Sequence, residues 1–266
     1  MEFILNKEEL ENISNGIFLY GIGGGMGNIS RIVAKKLIKS FNAKLIGRVV
    51  TDFFPDFVFI GKDGIIRDNI SYKLYKTKIG QYDFIILYGN FQISILEDPG
   101  FSLYLRYKFT NNLFKKIGKY NIKEYSIIGG LGLGNQLEPE EPNYLIAFNK
   151  YYDLNKLKEK LGEIKIFKSQ TVIGMSGLML YYSQIYKKPA YLLLVETYYS
   201  NQINGYFAAA KALEVLGKIY DFQVDNSDLK EKGKKIKEEL QKDINRLKKI
   251  EEERKKEENR REYYFG

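Results

Sequence analysis

The chain has 266 residues, 44% of them hydrophobic, so it can bury a full-sized core, and disorder of the whole chain is excluded. It contains no histidine, no cysteine and no tryptophan. Without His or Cys, the chain can form no Ser-His-Asp or Cys-His catalytic site and no disulfide, and the familiar zinc, haem and iron–sulfur sites lack ligands. We therefore expect no metal and no cofactor. A catalyst built from this chain would have to use Asp, Glu, Lys, Tyr, Ser or backbone amides.

A formal net charge of +9 is typical of proteins that bind nucleic acid, so nucleic acid is considered as a partner. The excess is diffuse, because residues 228–262 contain 14 Lys or Arg against 11 Asp or Glu and the rest of it is spread over residues 1–227. No basic cluster is interleaved with aromatic residues that would stack on bases, so we expect no nucleic-acid partner. Abundant Lys, Ile and Glu without Cys suits a thermophile, although genomic base composition explains it equally well.

The first residues, MEFILNKEEL, contain no basic segment followed by an apolar stretch. Nowhere in the sequence do 18 apolar residues run together. We therefore expect neither a signal peptide nor a transmembrane helix, no membrane partner, and a cytoplasmic protein.

Residues 1–227 alternate short apolar runs with longer segments of helical period, which is typical of an α/β domain. Runs such as FIILYG and YLLLVE predict strands buried on both faces. The predicted strands are Gly16–Tyr20, Lys44–Val50, Asp56–Ile60, Phe84–Gly89, Glu124–Gly129, Gln170–Gly174 and Tyr191–Glu196. The predicted helices are Asn28–Ser40, Phe101–Ile117, Leu154–Leu161, Gly177–Tyr186 and Tyr206–Tyr220.

The first strand leads into the glycine-rich loop GIGGGMGN, residues 21–28. A G-x-G-x-x-G frame fails, because Met26 or Asn28 falls at the third glycine, and no Gly-Lys-Ser/Thr follows. Two interpretations stay open: the glycines supply positive φ and close strand–helix packing, or the loop binds an anion through free amides at the helix start. A nucleotide- or nucleoside-binding enzyme is the corresponding rival function.

Two further glycine loops, GGLGLGN (129–135) and GMSG (174–177), follow predicted strands at the edge where open α/β sheets place ligands. Ser176 is a poor nucleophile candidate, because Leu178 occupies the second glycine of G-x-S-x-G and the chain has no His. We expect Ser176 and Asn28 to cap helices. The acidic loop Glu138–Pro142 is interpreted as a solvated charge run rather than a cation site.

The composition changes at Asp228, where 25 of the next 35 residues are charged. The pattern predicts a long helix over 228–262, separate from an α/β domain at 1–227 and from an aromatic tail at 263–266. Fully helical, it would span about 50 Å. Its few apolar residues form a narrow seam that a partner helix would bury, so we expect a homo-oligomer. The seam consists of Leu229, Ile236, Leu240, Ile244, Leu247 and Ile250.

The order of these parts resembles the proteasome-assembly-chaperone family, which includes the second eukaryotic assembly chaperone and its archaeal homologues. The resemblance covers roughly residues 16–242 and rests on the order and spacing of five segments rather than on any one motif. It implies a mixed, mostly parallel sheet flanked by helices, as in nucleoside phosphorylases and related hydrolases, and a chaperone without known chemistry. The segments are GMGNISRIVAKKLIKSFNAKLIG, FIILYGNFQ, IIGGLGLG, VIGMSGLMLYYSQIYKKPAYLLLVET and FAAAKALEVLGKIYDFQVDNSDLKEKGKKIKEEL.

The sequence ends in Tyr263, Tyr264, Phe265 and Gly266. Proteasome activators and several assembly chaperones end in a hydrophobic residue, a tyrosine and any last residue, and this end inserts between neighbouring α-subunits. By this resemblance Tyr264, Phe265 and Gly266 take those positions, the terminal carboxylate pairing with a lysine. Phe265 lacks the phenol hydroxyl, so the hydrogen bond of a tyrosine is lost. The alternative is a frayed end whose aromatic residues pack on a neighbouring subunit.

The resemblance and the missing catalytic residues together predict a non-enzymatic, homo-oligomeric proteasome assembly chaperone or proteasome-binding adaptor. Its expected partners are proteasome α-subunits or the 20S particle, with a second chaperone or adaptor as a further possibility. The alternatives are a phosphorylase-like nucleotide- or nucleoside-binding enzyme and an oligomeric scaffold whose tail binds a different adaptor protein.

Overall fold

A computed structural model of the chain describes residues 1–51, 58–67, 70–93, 99–134, 137–168 and 171–265, with the backbone alone for residues 59 and 255–265. The strands are β1 (Glu2–Leu5), β2 (Gly16–Ile22), β3 (Lys44–Val50), β4 (Phe59–Ile60), β5 (Ile66–Arg67), β6 (Tyr72–Ile79), β7 (Tyr82–Gly89), β8 (Ile122–Gly132), β9 (Tyr144–Phe148) and β10 (Ala190–Thr197). The α-helices are α1 (Lys7–Glu11), α2 (Ile29–Ser40), α3 (Pro99–Ile117), α4 (Leu154–Leu161), α5 (Met175–Ile185), α6 (Tyr206–Tyr220) and α7 (Ser227–Phe265).

Eight strands form one mixed sheet in the order β1-β3-β6-β7-β2-β8-β10-β9, and β4 pairs with β5 separately. The four central strands β7, β2, β8 and β10 are parallel to one another. The outer strands pair antiparallel on both sides of this centre. The predicted mixed sheet flanked by helices is confirmed, but its parallel part is confined to these four strands, because antiparallel strands extend the sheet at both edges.

Helices cover both faces of the sheet, so the core has two halves. Successive residues of a strand point to opposite faces. In β2, Ile17 and Leu19 pack with α2, α4 and α6, whereas Phe18 and Tyr20 pack with α1, α3 and α5. All four of these side chains are buried, which explains why the central strands are apolar without interruption.

Most predicted elements are confirmed, with ends that differ by a few residues. The helices α4 and α6 and the strand β3 have the predicted bounds. The strand predicted at Gln170–Gly174 is wrong: residues 169–170 lie outside the described residues, and 171–173 form no regular structure before α5. Of the strand predicted at Asp56–Ile60, only the last two residues form β4, and residues 52–57 lie outside the described residues. The strands β1, β5, β6 and β9 and the helix α1 were not predicted.

The helix α7 is a single helix of 39 residues that includes the charged segment and the first three residues of the aromatic tail. Its first turns pack on α6, where Leu229 is 4% exposed and belongs to the core. Every side chain from Asn245 to Arg254 is exposed, so α7 leaves the α/β body after Ile244. None of the helices in the described part of the chain is both long and apolar enough to span a membrane.

Candidate functional site

The carboxyl ends of the parallel strands hold the glycine-rich loops. After β2 the chain runs through α2 to β3 on one side of the sheet, whereas after β8 it runs to β9 and β10 on the other side. The connections that follow these two neighbouring strands therefore lead in opposite directions, which makes the crevice outside β2 and β8 a topological switch point. This is the place where an open α/β sheet accommodates a ligand, provided that the loops there have free binding groups.

The first glycine loop is closed on itself. Asn28 holds the loop together, because its side-chain carbonyl accepts a hydrogen bond from the Gly24 amide at 2.8 Å and its amide donates to the Asn201 carbonyl at 2.8 Å. Further backbone amides donate to protein carbonyls: Gly23 to Gly89 at 2.9 Å, Gly27 to Ser200 at 2.8 Å and Asn28 to Gly25 at 3.0 Å. Most of the donors expected to hold an anion are thus used within the protein.

Close packing requires glycine at two positions of these loops. Gly27 has φ +62, and a β-carbon there would lie 2.4 Å from Thr197 Oγ1. The predicted loop 129–135 is strand as far as Gly132, and a β-carbon at Gly130, within β8, would lie 2.3 Å from the Met26 carbonyl oxygen. These contacts support the packing interpretation of the glycines over a ligand role for this loop.

Asn28 stands at the predicted N-cap position without capping the helix through its side chain, and the cap predicted at Ser176 is wrong. Asn28 precedes α2 in a left-handed conformation, with φ 51, and its side chain makes no capping hydrogen bond to the helix. Ser176 lies inside the first turn of α5, and the N-cap residue is Gly174, which has no side chain to offer. Among the described residues, no group of three or more acidic side chains is placed to hold a metal ion.

The acidic loop 138–142 contains a buried carboxyl group, which the sequence did not indicate. Glu138 is fully buried and caps the start of α6: its carboxylate accepts hydrogen bonds from Thr197 Oγ1 at 2.8 Å and from the amides of Phe207 and Ala208 at 3.2 Å. Burial raises the pKa of Glu138 to about 7. The interpretation of this loop as a solvated charge run is therefore wrong at its first residue.

The exposed end of the acidic loop contacts α6 and α7. Glu140 pairs with Lys237 of α7 at 3.1 Å, and Glu141 pairs with Lys211 of α6 at 3.1 Å. The loop thus contacts both α6, whose start Glu138 caps, and the first turns of α7.

The apolar seam of α7 divides into three parts. Leu229 is buried in the body. Leu247 and Ile250 are 60% and 51% exposed and lie on the part of α7 that leaves the body. The half-buried residues between them are Ile236, Leu240 and Ile244.

The predicted tail residues lie at the far end of the same helix. Tyr263, Tyr264 and Phe265 form the last residues of α7, whereas Gly266 lies outside the described residues. At about 1.5 Å per residue, the 39 residues of α7 span about 58 Å. The tail and the closed glycine loop are therefore separate features of the molecule.

Comparison with known proteins decides the family. The family model of the PAC2 family matches residues 24–244. The chain belongs to the PAC2 family. No curated protein matches the sequence significantly.

Solved structures share the fold over almost the whole chain. PbaB from Pyrococcus furiosus, an archaeal proteasome activator, is 22% identical with a TM-score of 0.75, over 91% of this chain and 97% of that chain. PbaA from the same organism, an archaeal homologue of proteasome-assembly chaperone, is 25% identical with a TM-score of 0.64, over 94% and 99%. A proteasome-assembly chaperone homologue from Mycobacterium tuberculosis is 15% identical with a TM-score of 0.61, over 85% and 94%. The family model reaches residue 244, so the matched part of the chain includes the first part of α7.

Proposed function

We propose that this PAC2 protein is a non-enzymatic proteasome assembly chaperone or proteasome-binding adaptor. The proposal is supported by the family and by the similarity to PbaA and PbaB, a chaperone homologue and a proteasome activator. The closed glycine loop and the absence of His and Cys favour a binding protein over an enzyme. The partners under this proposal are proteasome α-subunits or the 20S particle.

The observation that carries the proposal is the course of α7. The helix is anchored on the body at Leu229 and is exposed from Asn245 to Arg254, and its backbone continues to Phe265. Apart from Leu247 and Ile250, the side chains of residues 245–254 are polar or charged, so they keep the helix in solvent and carry the aromatic end away from the body. Such a helix places the tail at a distance from the body.

At the end of this helix, Tyr264 and Phe265 dock between neighbouring α-subunits. Two adjacent aromatic side chains supply a large apolar area for such a pocket, and their few rotatable bonds keep the entropic cost of docking low. Phe265 fills the pocket without donating a hydrogen bond, so a single tail binds weakly. Several tails on one oligomer compensate, because each later docking event occurs at high effective concentration.

Homo-oligomerisation follows from the exposed seam residues. Leu247 and Ile250 lie on one side of a solvated helix, where a second α7 would bury them. A short apolar seam of this kind gives modest affinity, so the body contributes part of the interface.

The test is capture of purified 20S proteasome, and separately of free α-subunits, by immobilised protein. The full chain should capture one of these two, a variant lacking residues 264–266 should lose capture, and Phe265→Tyr should capture more strongly. Light scattering on each variant checks that truncation leaves the oligomer intact, so lost capture reports on docking alone. Equal capture by the full and truncated chains would contradict tail docking, and no capture by either would contradict the proteasome as partner.

A further inference from the structure

A cleft of about 500 Å³ lies at the topological switch point, outside the carboxyl ends of β2 and β8. Its walls include Tyr20 and Ile22 of β2, Gly129 at the end of β8, and Arg106 of α3. The volume falls in the range of small-molecule sites. The proposed tail docking does not use this cleft.

Arg106 supplies the cleft with a fixed positive charge. Its Nε donates a hydrogen bond to the Ile93 carbonyl at 2.7 Å, which holds the guanidinium in place. No carboxylate in the described part of the chain pairs with it. A guanidinium held by one nitrogen and open at the others is suited to bidentate binding of an oxyanion.

The start of α5 faces the same cleft through Gly174 and Ser176. Gly174 offers no side-chain cap, and the first-turn amides of Met175, Ser176 and Gly177 have no acceptor among the described residues. Unpaired amides at the start of an 11-residue helix carry the positive end of its dipole. They form a second set of donors directed toward an anion.

Tyr20, which also lines the cleft, carries a polar group without a partner. Its side chain is 2% exposed, and its hydroxyl is buried without a hydrogen-bond partner in the described structure. An unpaired buried hydroxyl is costly and uncommon. Burial raises the pKa of Tyr20 far above its usual range, so the hydroxyl keeps its proton and acts as a donor.

We propose that this cleft binds a phosphoryl group, either as inorganic phosphate or as the monoester of a small molecule. Arg106 pairs with two of its oxygens, the first amides of α5 donate to the others, and Ser176 and Gln92 complete the polar lining. The donors come from α3, α5 and the strand ends, so the closed loop 21–28 is not required.

Isothermal titration calorimetry of the full chain with inorganic phosphate, adenosine monophosphate and adenosine tests the proposal. Phosphate or the monophosphate should bind and adenosine should not. Tighter binding of the monophosphate would assign a phosphate ester, and equal or tighter binding of phosphate would assign the free ion. No binding of either anion at millimolar concentration would overturn the site.

Two variants locate the binding. Arg106→Ala should weaken phosphate binding by about tenfold or more, because a charge-assisted contact is lost. The matched control is Arg246→Ala on the exposed part of α7, which should bind as the wild type does. Equal effects of the two changes would overturn the proposal, since they would show general attraction to a basic protein.

Tyr20→Phe distinguishes a binding role from a structural one. It removes a hydroxyl that has no partner, so the melting temperature without ligand should not fall, whereas phosphate binding should weaken several-fold. Unchanged binding by both Tyr20→Phe and Arg106→Ala would place the anion elsewhere. No proteasome is present in these experiments, so their result is independent of tail docking.

Discussion

Lys237 of α7 and Glu140 of the loop before β9 form an ion pair, with Nζ and Oε1 3.1 Å apart. Both side chains are partly exposed, and exposed pairs of this kind contribute about 1 kcal/mol or less. The attachment of α7 to the body therefore depends mainly on its apolar contacts. Among these, Leu229 is the residue that enters the core.

We expect Leu229→Ala to loosen the start of α7. Removing a buried leucine leaves a cavity and costs about 2–5 kcal/mol. Urea unfolding measures the loss, and hydrogen exchange should be faster at amides in the first turns of α7. Lys242→Ala is the control, because Lys242 is exposed on the side of α7 away from the seam, so its effect on the free energy of unfolding should stay within about 0.5 kcal/mol. Equal destabilisation by both would contradict the anchoring role of Leu229.

Gly27→Ala and Gly134→Ala separate backbone strain from crowding. Both glycines have positive φ, +62 and +66, but only Gly27 has a close neighbour at the position of a β-carbon, Thr197 Oγ1 at 2.4 Å. We expect Gly27→Ala to lower the free energy of unfolding by about 1–3 kcal/mol more than Gly134→Ala does. The comparison is made by urea unfolding at one pH. If Gly27→Ala and Gly134→Ala lower the free energy of unfolding by the same amount, the packing explanation for the first glycine loop is incorrect.

Glu138 should make stability depend on pH. Burial raises its pKa from 4.5 to about 7, so the folded state holds this proton more tightly than the unfolded state. The stabilisation is present below pH 4.5 and is lost as the pH rises through 7, by up to about 3 kcal/mol.

Urea unfolding of the wild type and of Glu138→Gln at pH values between 4.5 and 7 measures this pH dependence. The stability of the wild type relative to Glu138→Gln should fall as the pH rises. Glu140→Gln, a change in the exposed part of the same loop, should keep the wild-type pH dependence. Parallel curves for the wild type and Glu138→Gln would show that Glu138 does not titrate in this range.

Lysines in the exposed part of the apolar seam should weaken the proposed oligomer. Leu247→Lys combined with Ile250→Lys places charges where a second α7 would pack, so the molar mass measured by light scattering should fall. The control variant, Gln241→Lys with Asn245→Lys, adds the same two charges on the opposite side of the helix. An unchanged mass in the seam variant, or an equal fall in both variants, would contradict pairing through the seam.

Apart from the antiparallel strand β3, the strands that the sequence predicted well are the buried parallel ones. FIILYG and YLLLVE are apolar without interruption because helices cover both sides of β7 and β10. The missed strand β6, YKLYKTKI, alternates apolar residues with lysines, as expected outside the buried centre of the sheet. The missed strands β1 and β9 form the two edges and have only four and five residues.

The site was less predictable, because its decisive contacts join distant segments. In the sequence, Glu138 is one of several acidic residues in a row. It is a buried cap because the folded chain brings it into contact with Thr197, 59 residues later. Asn28 precedes a helix, but its side chain bonds to Gly24 because the loop folds back on itself. Charge and aromatic content, by contrast, identified the long helix and its tail, since those features are local.

The continuity of α7 also fixes the angular position of the tail. A helix turns by about 100° per residue, so inserting one residue into its exposed part would rotate the C-terminal end through that angle while moving it only about 1.5 Å. Seven inserted residues would move the end by about 10 Å and leave it facing nearly the same way. The number of residues between Leu229 and Tyr264 therefore sets an orientation as well as a distance, and a docking surface would sense both.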